Sequence, residues 1–247
     1  MNIFITGGLT GMGRELALSL QADGHHVAIS SFQEIEEIKE QIPDGISYYQ
    51  ADVRDVERMK LIINDFKATF GSLDVVYANA GINHPKSDIP DWERCRDVVD
   101  INIKGVINTV APAIEIMKQQ GSGQIVTIAS ISAYAGLPGM SVYGSTKAFI
   151  KNFSETLSVD LAQYGIKVTM VAPGFVLTPL TENNPHKMPF LIDQKQAAKE
   201  IKKAIYKKKE VHVFPLPMTF ISKLLYFSPR AFYRRVLAKL LGGLKSH

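Results

Sequence analysis

The sequence predicts a doubly wound α/β fold: one domain on a parallel sheet of about seven strands, followed by a helical C-terminal extension. Three observations carry this. Short apolar runs alternate with longer amphipathic segments. Several runs, such as VVYA and IVTIA, are apolar at consecutive positions, as suits parallel strands covered on both faces. A glycine-rich turn stands between the first run and the first amphipathic segment, where such a fold passes from strand to helix.

In chain order, the strand Ile3–Thr6 leads through the glycine turn into a helix over Gly13–Ala22. His26–Ser30 is the second strand, and the mixed polar and apolar stretch Gln33–Gln41 reads as helix. Ser47–Gln50 is the third strand, followed by the amphipathic helix Val56–Phe70. The apolar run Val75–Ala78 precedes a long helix over Trp92–Gln119. Gln124–Ile128 then leads to the helix Tyr143–Tyr164, and Lys167–Ala172 to the helix Gln194–Lys207. Val211–Phe214 closes the alternation, so the domain spans 1–214 and the extension 215–247.

With 247 residues the chain is long enough to bury a large core. The single cysteine, Cys95, excludes an intrachain disulfide and a cysteine-based zinc cage, which fits a reducing, cytoplasmic setting. The opening MNIFITGG has no basic segment followed by a long apolar one, so no signal peptide or N-terminal anchor is expected. The net charge of +4 is uneven: Glu200 to His247 carry +9 and the first 199 residues −5. Basicity thus belongs to the tail, and nucleic-acid binding by the whole protein is not expected.

In TGGLTGMG the glycines that matter are Gly7, Gly11 and Gly13. Glycine permits a tight strand-to-helix turn and lets backbone approach a pyrophosphate closely. The helix N-terminus then offers free N–H groups and a favourable dipole to the anion. A plain strand-to-helix loop needing glycine only for steric relief is the other reading.

YGSTK places Tyr143 and Lys147 four apart, on one face of a predicted helix. They are either an ordinary surface pair or an acid and the charge that tunes it. A free phenol has a pKa of about 10. A neighbouring ammonium favours phenolate, so Lys147 is expected to lower the pKa of Tyr143 toward a useful range.

Six stretches in order bear on the choice: TGGLTGMG, ADVRD, ANAG, IVTIAS, YGSTK and APGFVLTP. Together they resemble the short-chain dehydrogenase/reductase family over roughly residues 2–214. The turn has that family's G-x-x-x-G-x-G spacing, and Ser130 precedes Tyr143 by the family's usual 13 residues. ANAG departs from the family's N-N-A-G at Ala78 and keeps Asn79.

The resemblance implies a Rossmann-type sheet of order 3-2-1-4-5-6-7 and hydride transfer between a nicotinamide and a carbonyl or alcohol. Tyr143 would be the general acid/base, Ser130 would hold the substrate oxygen, Lys147 would bond the nicotinamide ribose, and Asn102 would support a water-linked proton path. The cofactor would lie against Gly7, Gly11, Met12, Gly13, Ser31, Asp52, Val53, Asn79, Ala80, Gly81, Pro173, Gly174 and Thr178, with Asp52 at the adenine ring and Thr178 near the carboxamide. A homodimer or homotetramer, paired through the Trp92–Gln119 and Tyr143–Tyr164 helices, is implied as well.

NAD-preferring proteins place a carboxylate after the second strand to accept bonds from the ribose 2′-OH. Here VAISSFQE puts Ser31 there and no acid before Glu34, so NADP(H) is expected over NAD(H), with Ser30 and Ser31 as phosphate donors and Arg14 adding charge. Phe32 stands where the family's arginine is typical.

The long connection after Gly174 holds Pro179, Pro185 and Pro189; it is read as a lid with Phe190 and Leu191 as its apolar surface, or as an ungated crossover. His84 and His186 are read as solvated, and no metal site is expected.

In the tail, Phe232, Val236 and Leu240 make one helical stripe beside Lys223, Arg230, Arg234, Arg235 and Lys239. It docks on its own domain or a second subunit, lies on an anionic membrane surface, or walls an apolar substrate pocket. The expected function is NADP(H)-dependent oxidoreduction of an apolar or lipid-like carbonyl or alcohol. The alternatives are a non-catalytic NADP(H)-binding sensor or scaffold, and a membrane-associated adaptor using the tail.

Overall fold

The computed structural model describes residues 1–83, 91–136, 139–182 and 188–229. Seven strands form one parallel sheet: β1 (Asn2–Thr6), β2 (His26–Ser31), β3 (Ser47–Gln50), β4 (Val75–Ala78), β5 (Gly123–Ile128), β6 (Ile166–Pro173) and β7 (Val211–Phe214). Their order is β3-β2-β1-β4-β5-β6-β7, as expected. The order reverses between β1 and β4, and in open α/β sheets the crevice at such a point, beyond the strands' C-terminal ends, receives ligands.

The consecutive apolar residues feed two cores. Ile3 and Ile5 face one side of β1 and Phe4 the other. One layer is closed by α1 (Gly11–Ala22) and α7 (Gln194–Tyr206), through Leu16, Leu20, Ala197 and Ile201. The other is closed by α3 (Val56–Phe70), α5 (Gly105–Gln120) and α6 (Ser141–Asp160), through Ile63, Phe66, Val110 and Ile150. Helix starts follow the local chemistry: Asp55 accepts a bond from the Arg58 N–H, and Asp193 with Gln196 forms a capping box on α7.

Two expectations are corrected. The helix expected over Gln33–Gln41 is one short piece, α2 (Ile35–Ile38), passing into a 3₁₀ turn at Lys39–Gln41. The long helix expected over Trp92–Gln119 is α4 (Trp92–Val99) and α5, joined by a π-helical turn at Asp100–Lys104. The wider turn brings Asn102 fully inside, where its amide pairs with both backbone groups of Ile82 at 2.8 and 3.0 Å. Helix α8 (Leu216–Phe227) leaves the end of β7 and packs Met218 and Ser222 inward. Phe232, Val236, Leu240 and the basic residues from Arg230 onward lie outside the described residues, as do His84, Pro185 and His186.

Candidate active site

The sequence-predicted residues gather at the C-terminal ends of the strands. The turn after β1 carries Gly7, with φ 64°, and Gly11, with φ 60°, a region open to glycine at little cost. A side chain on Gly7 would meet the Ala80 Cα at 2.9 Å, and one on Gly13 the Asn79 amide at 2.6 Å. These two glycines thus let the turn lie directly on the segment after β4. Thr6 and Asn79 staple the approach. The Thr6 hydroxyl accepts from the N–H groups of Asn79 and Ala80, and the Asn79 amide donates to the carbonyls of Thr6 and Gly7, each at 2.9 Å.

The α1 N-terminus, which includes Met12, has no side-chain cap from Thr10 and no acidic residue in its first turn. Its first N–H groups and dipole therefore suit an anion. A Cβ on Gly11 would find only Thr178 at 3.9 Å, so backbone can be approached from that side. This uncapped, glycine-floored turn fits the pyrophosphate of a dinucleotide.

Sequence reasoning passed over Gly8. A Cβ there would meet the side chain of Ile29, itself fully buried, at 2.4 Å. Gly8→Ala is expected to destabilise the fold by about 1–3 kcal/mol through overpacking, read as a lower urea midpoint with unchanged slope.

Ser130 follows β5 and accepts a bond from the Ser132 N–H at 3.2 Å. Tyr143 and Lys147 share one face of α6, as expected. The Lys147 ammonium is buried, donates to the Ile128 carbonyl at 3.0 Å, and sits 5.5 Å from the centre of the Tyr143 ring. Thr146, which sequence reasoning also missed, accepts from the Asn102 amide at 3.2 Å and donates to the Tyr143 carbonyl at 2.7 Å. It ties the π turn to the helix that carries the phenol. Its signal in the sequence was its place three residues after Tyr143, within YGSTK. Gly81 stands between Asn102 and Lys147: a Cβ there would be 3.2 Å from the amide oxygen and 3.6 Å from the ammonium.

The expected tuning of the phenol is reversed. Burial pushes Tyr143 up to about 12, against a smaller opposing pull from the Ser130 hydroxyl. Burial also brings the Lys147 ammonium down to about 8. Desolvation disfavours both charged forms, and Lys147 directs its charge at a carbonyl and a ring face. At neutral pH the phenol therefore holds its proton.

Two adenosine-side expectations also change, the phosphate-donor roles of Ser30 and Ser31. The Ser30 hydroxyl is fully buried without a partner, so it does not face a phosphate. The Ser31 hydroxyl donates to Gln33 at 2.5 Å, and Tyr48 pins the same turn by donating to the carbonyls of Ser31 and Gln33. Asp52 is gripped by Arg54, which lowers its pKa, and the adjacent Val53 packs close to Gly105.

Beyond β6, the Gly174 N–H bonds the Phe214 carbonyl at 2.8 Å, with Pro173 beside Phe214 in register. The long connection is pinched at its neck, where Val176 bridges Ile192 and the Leu177 N–H bonds the Ile192 carbonyl at 2.9 Å. Thr178 is 8% exposed and held by Thr181, while Phe190 and Leu191 are 52% and 42% exposed.

The family model for short chain dehydrogenases matches residues 1–189. A 3-oxoacyl-[acyl-carrier-protein] reductase, FabG, of Staphylococcus aureus is 35% identical over 188 residues, covering 72% of this chain and 75% of that protein. An uncharacterized oxidoreductase of Myxococcus xanthus is 29% identical over 243 residues, 96% of each chain. Among solved structures, ElxO with NADP bound is 30% identical with TM-score 0.78, covering 86% of this chain and 96% of its own.

Proposed function

The chain belongs to the short-chain dehydrogenase family and is an oxidoreductase of that family, and on that premise we propose that it reduces an apolar carbonyl compound with NADPH, Tyr143 delivering the proton. One observation carries this reading: Ser130, Tyr143, Lys147 and Asn102 converge at the strand ends beside an uncapped, glycine-floored helix N-terminus. NADP(H), when bound, supplies or accepts a hydride. The chain's residues do the rest.

The N–H groups at the start of α1 hold the pyrophosphate, with Gly7, Gly8 and Gly13 allowing the close packing beneath it. Lys147 and Asn102, on either side of Gly81, hold the nicotinamide end and order water behind it. Thr178, whose N–H bonds the Thr181 hydroxyl, stands at the start of the long connection and would lie near the carboxamide. The Ser130 hydroxyl donates to the carbonyl oxygen as charge develops there. Tyr143, protonated at neutral pH, gives that oxygen its proton.

Several features support NADPH over NADH. No carboxylate stands among residues 31–33 to repel a 2′-phosphate, and the Gln33 amide, whose oxygen accepts from the Ser31 hydroxyl, keeps its NH2 as a donor there. ElxO, the similar structure, has NADP bound. FabG's name makes 3-oxoacyl thioesters the first carbonyls to screen. Assembly through α4–α5 and α6, where Ile107 and Val159 are 39% and 75% exposed, belongs to the same reading.

The test is titration with NADPH and NADH side by side, following nicotinamide fluorescence. NADPH is expected to bind more tightly, and Ser31→Asp to shift the ratio toward NADH by about tenfold or more, the size of one unmatched polar contact. Binding of neither nucleotide overturns the reading; an unchanged ratio in the variant removes Ser31 from it.

A further inference from the structure

Helix α8 buries one side and leaves the other bare. Met218 and Ser222, one turn apart, are 2% and 1% exposed, and Thr219 bonds the Val213 carbonyl at 2.9 Å, so the helix is fixed to the sheet edge. Gly174 makes room for it: a Cβ there would meet Met218 at 2.8 Å. On the opposite side, Leu216, Phe220, Leu224 and Phe227 are 75%, 72%, 61% and 78% exposed. Their spacing puts them in one stripe along the helix. Scattered exposed apolar residues are ordinary, but four on one helix face form a contact surface.

Charge selects the occupant. From Leu216 to His247 the sequence has six basic residues and no acid. Within α8 the charge is Lys223, beside the stripe. A second copy laid on this face by a two-fold axis would bring two segments of like net charge together, with Lys223 beside each stripe. An anionic bilayer surface complements it: apolar side chains enter the acyl boundary while basic groups meet the headgroups. No helix among the described residues is long and apolar enough to cross a membrane, so the contact lies in the interface plane.

The surface adjoins the site. Tyr226 packs edge-to-face on Tyr134 at 6.2 Å, four residues after Ser130. Lys151, one turn beyond Lys147 on α6, lies 5.3 Å from the centre of the Tyr226 ring and pairs with Glu155 at 2.7 Å, and these groups with Lys223 and Phe227 line an open cleft of about 300 Å³. We infer that α8 is a membrane-docking helix: its Leu216–Phe220–Leu224–Phe227 stripe seats on an anionic lipid surface, with Lys223 at the headgroups. This stands apart from the choice of cofactor and reaction.

The experiment is co-sedimentation of the full chain with phosphatidylcholine vesicles and with vesicles also containing phosphatidylserine. Expected is binding to the anionic vesicles at least about tenfold stronger than to the neutral ones, weakening as salt rises. Phe220→Ser with Phe227→Ser should lose it, and Lys223→Glu should weaken it. All these residues are exposed, so NADPH binding and thermal midpoint serve as folding controls in each variant. Equal pelleting of wild type and the double serine variant overturns the proposal, as does no pelleting at low salt. So does a wild-type oligomer that the double variant disperses in the absence of lipid, which would assign the stripe to a second copy.

Discussion

Tyr143→Phe is expected to lower NADPH-dependent turnover by about 10²–10⁴-fold, the contribution of a positioned general acid, while NADPH affinity stays within about twofold. The substitution removes one oxygen and keeps the ring beneath the Lys147 ammonium. It also leaves the Thr146 bond to the residue's backbone carbonyl intact. Steady-state kinetics and nucleotide titration on the same preparation check both halves. Turnover near the wild-type rate would show that another group moves the proton. A parallel loss of nucleotide binding would show that the phenol serves chiefly to hold the cofactor.

Lys147→Met has the largest expected effect on stability, and its pH dependence is the informative part. The ammonium's folded pKa is brought down from 10.5 to about 8 by burial. Between those values the unfolded chain binds a proton that the folded chain does not, so Lys147 makes stability rise with pH across that window. Below about pH 8 the folded state carries the whole cost of a buried charge, roughly 3 kcal/mol. The wild type should therefore gain on the variant by about that amount from pH 8 to 10.5, measured by urea unfolding of both without nucleotide.

The lost bond to the Ile128 carbonyl offsets part of the variant's advantage, more where the ammonium is charged and the bond charge-assisted, which trims the slope. Tyrosines raised by burial, Tyr143 and Tyr49 among them, act oppositely above pH 10 but cancel between the two proteins to the extent that the substitution leaves them undisturbed. A difference flat with pH would mean that Lys147 is solvated well enough to keep an ordinary pKa. The same variant is expected to bind NADPH more weakly, because the group beside Gly81 is gone.

The sequence by itself determined the architecture. Largely apolar runs at β1, β4, β5 and β6 require cover on both faces, and that requirement with alternating helices leaves a parallel α/β sheet. It also determined which side chains share the site, since a four-residue helical spacing puts Tyr143 and Lys147 on one face in any setting.

Only the tertiary structure decided how those groups behave. Spacing places a phenol near an ammonium, but the balance between their attraction and loss of water depends on what closes over them. Here burial dominates, so the phenol keeps its proton and the ammonium turns to the Ile128 carbonyl. The π turn at Asn102 was hidden for a similar reason: DINIKG carries an ordinary helical pattern, and the extra residue in the turn is held by bonds to Ile82 and Thr146, 20 and 44 positions away. The need for glycine at position 8 arises only where β2 brings Ile29 against it. Periodicity and local spacing are properties of a chain segment and can be read from it. Desolvation, and bonds between distant segments, come into being when the chain is packed.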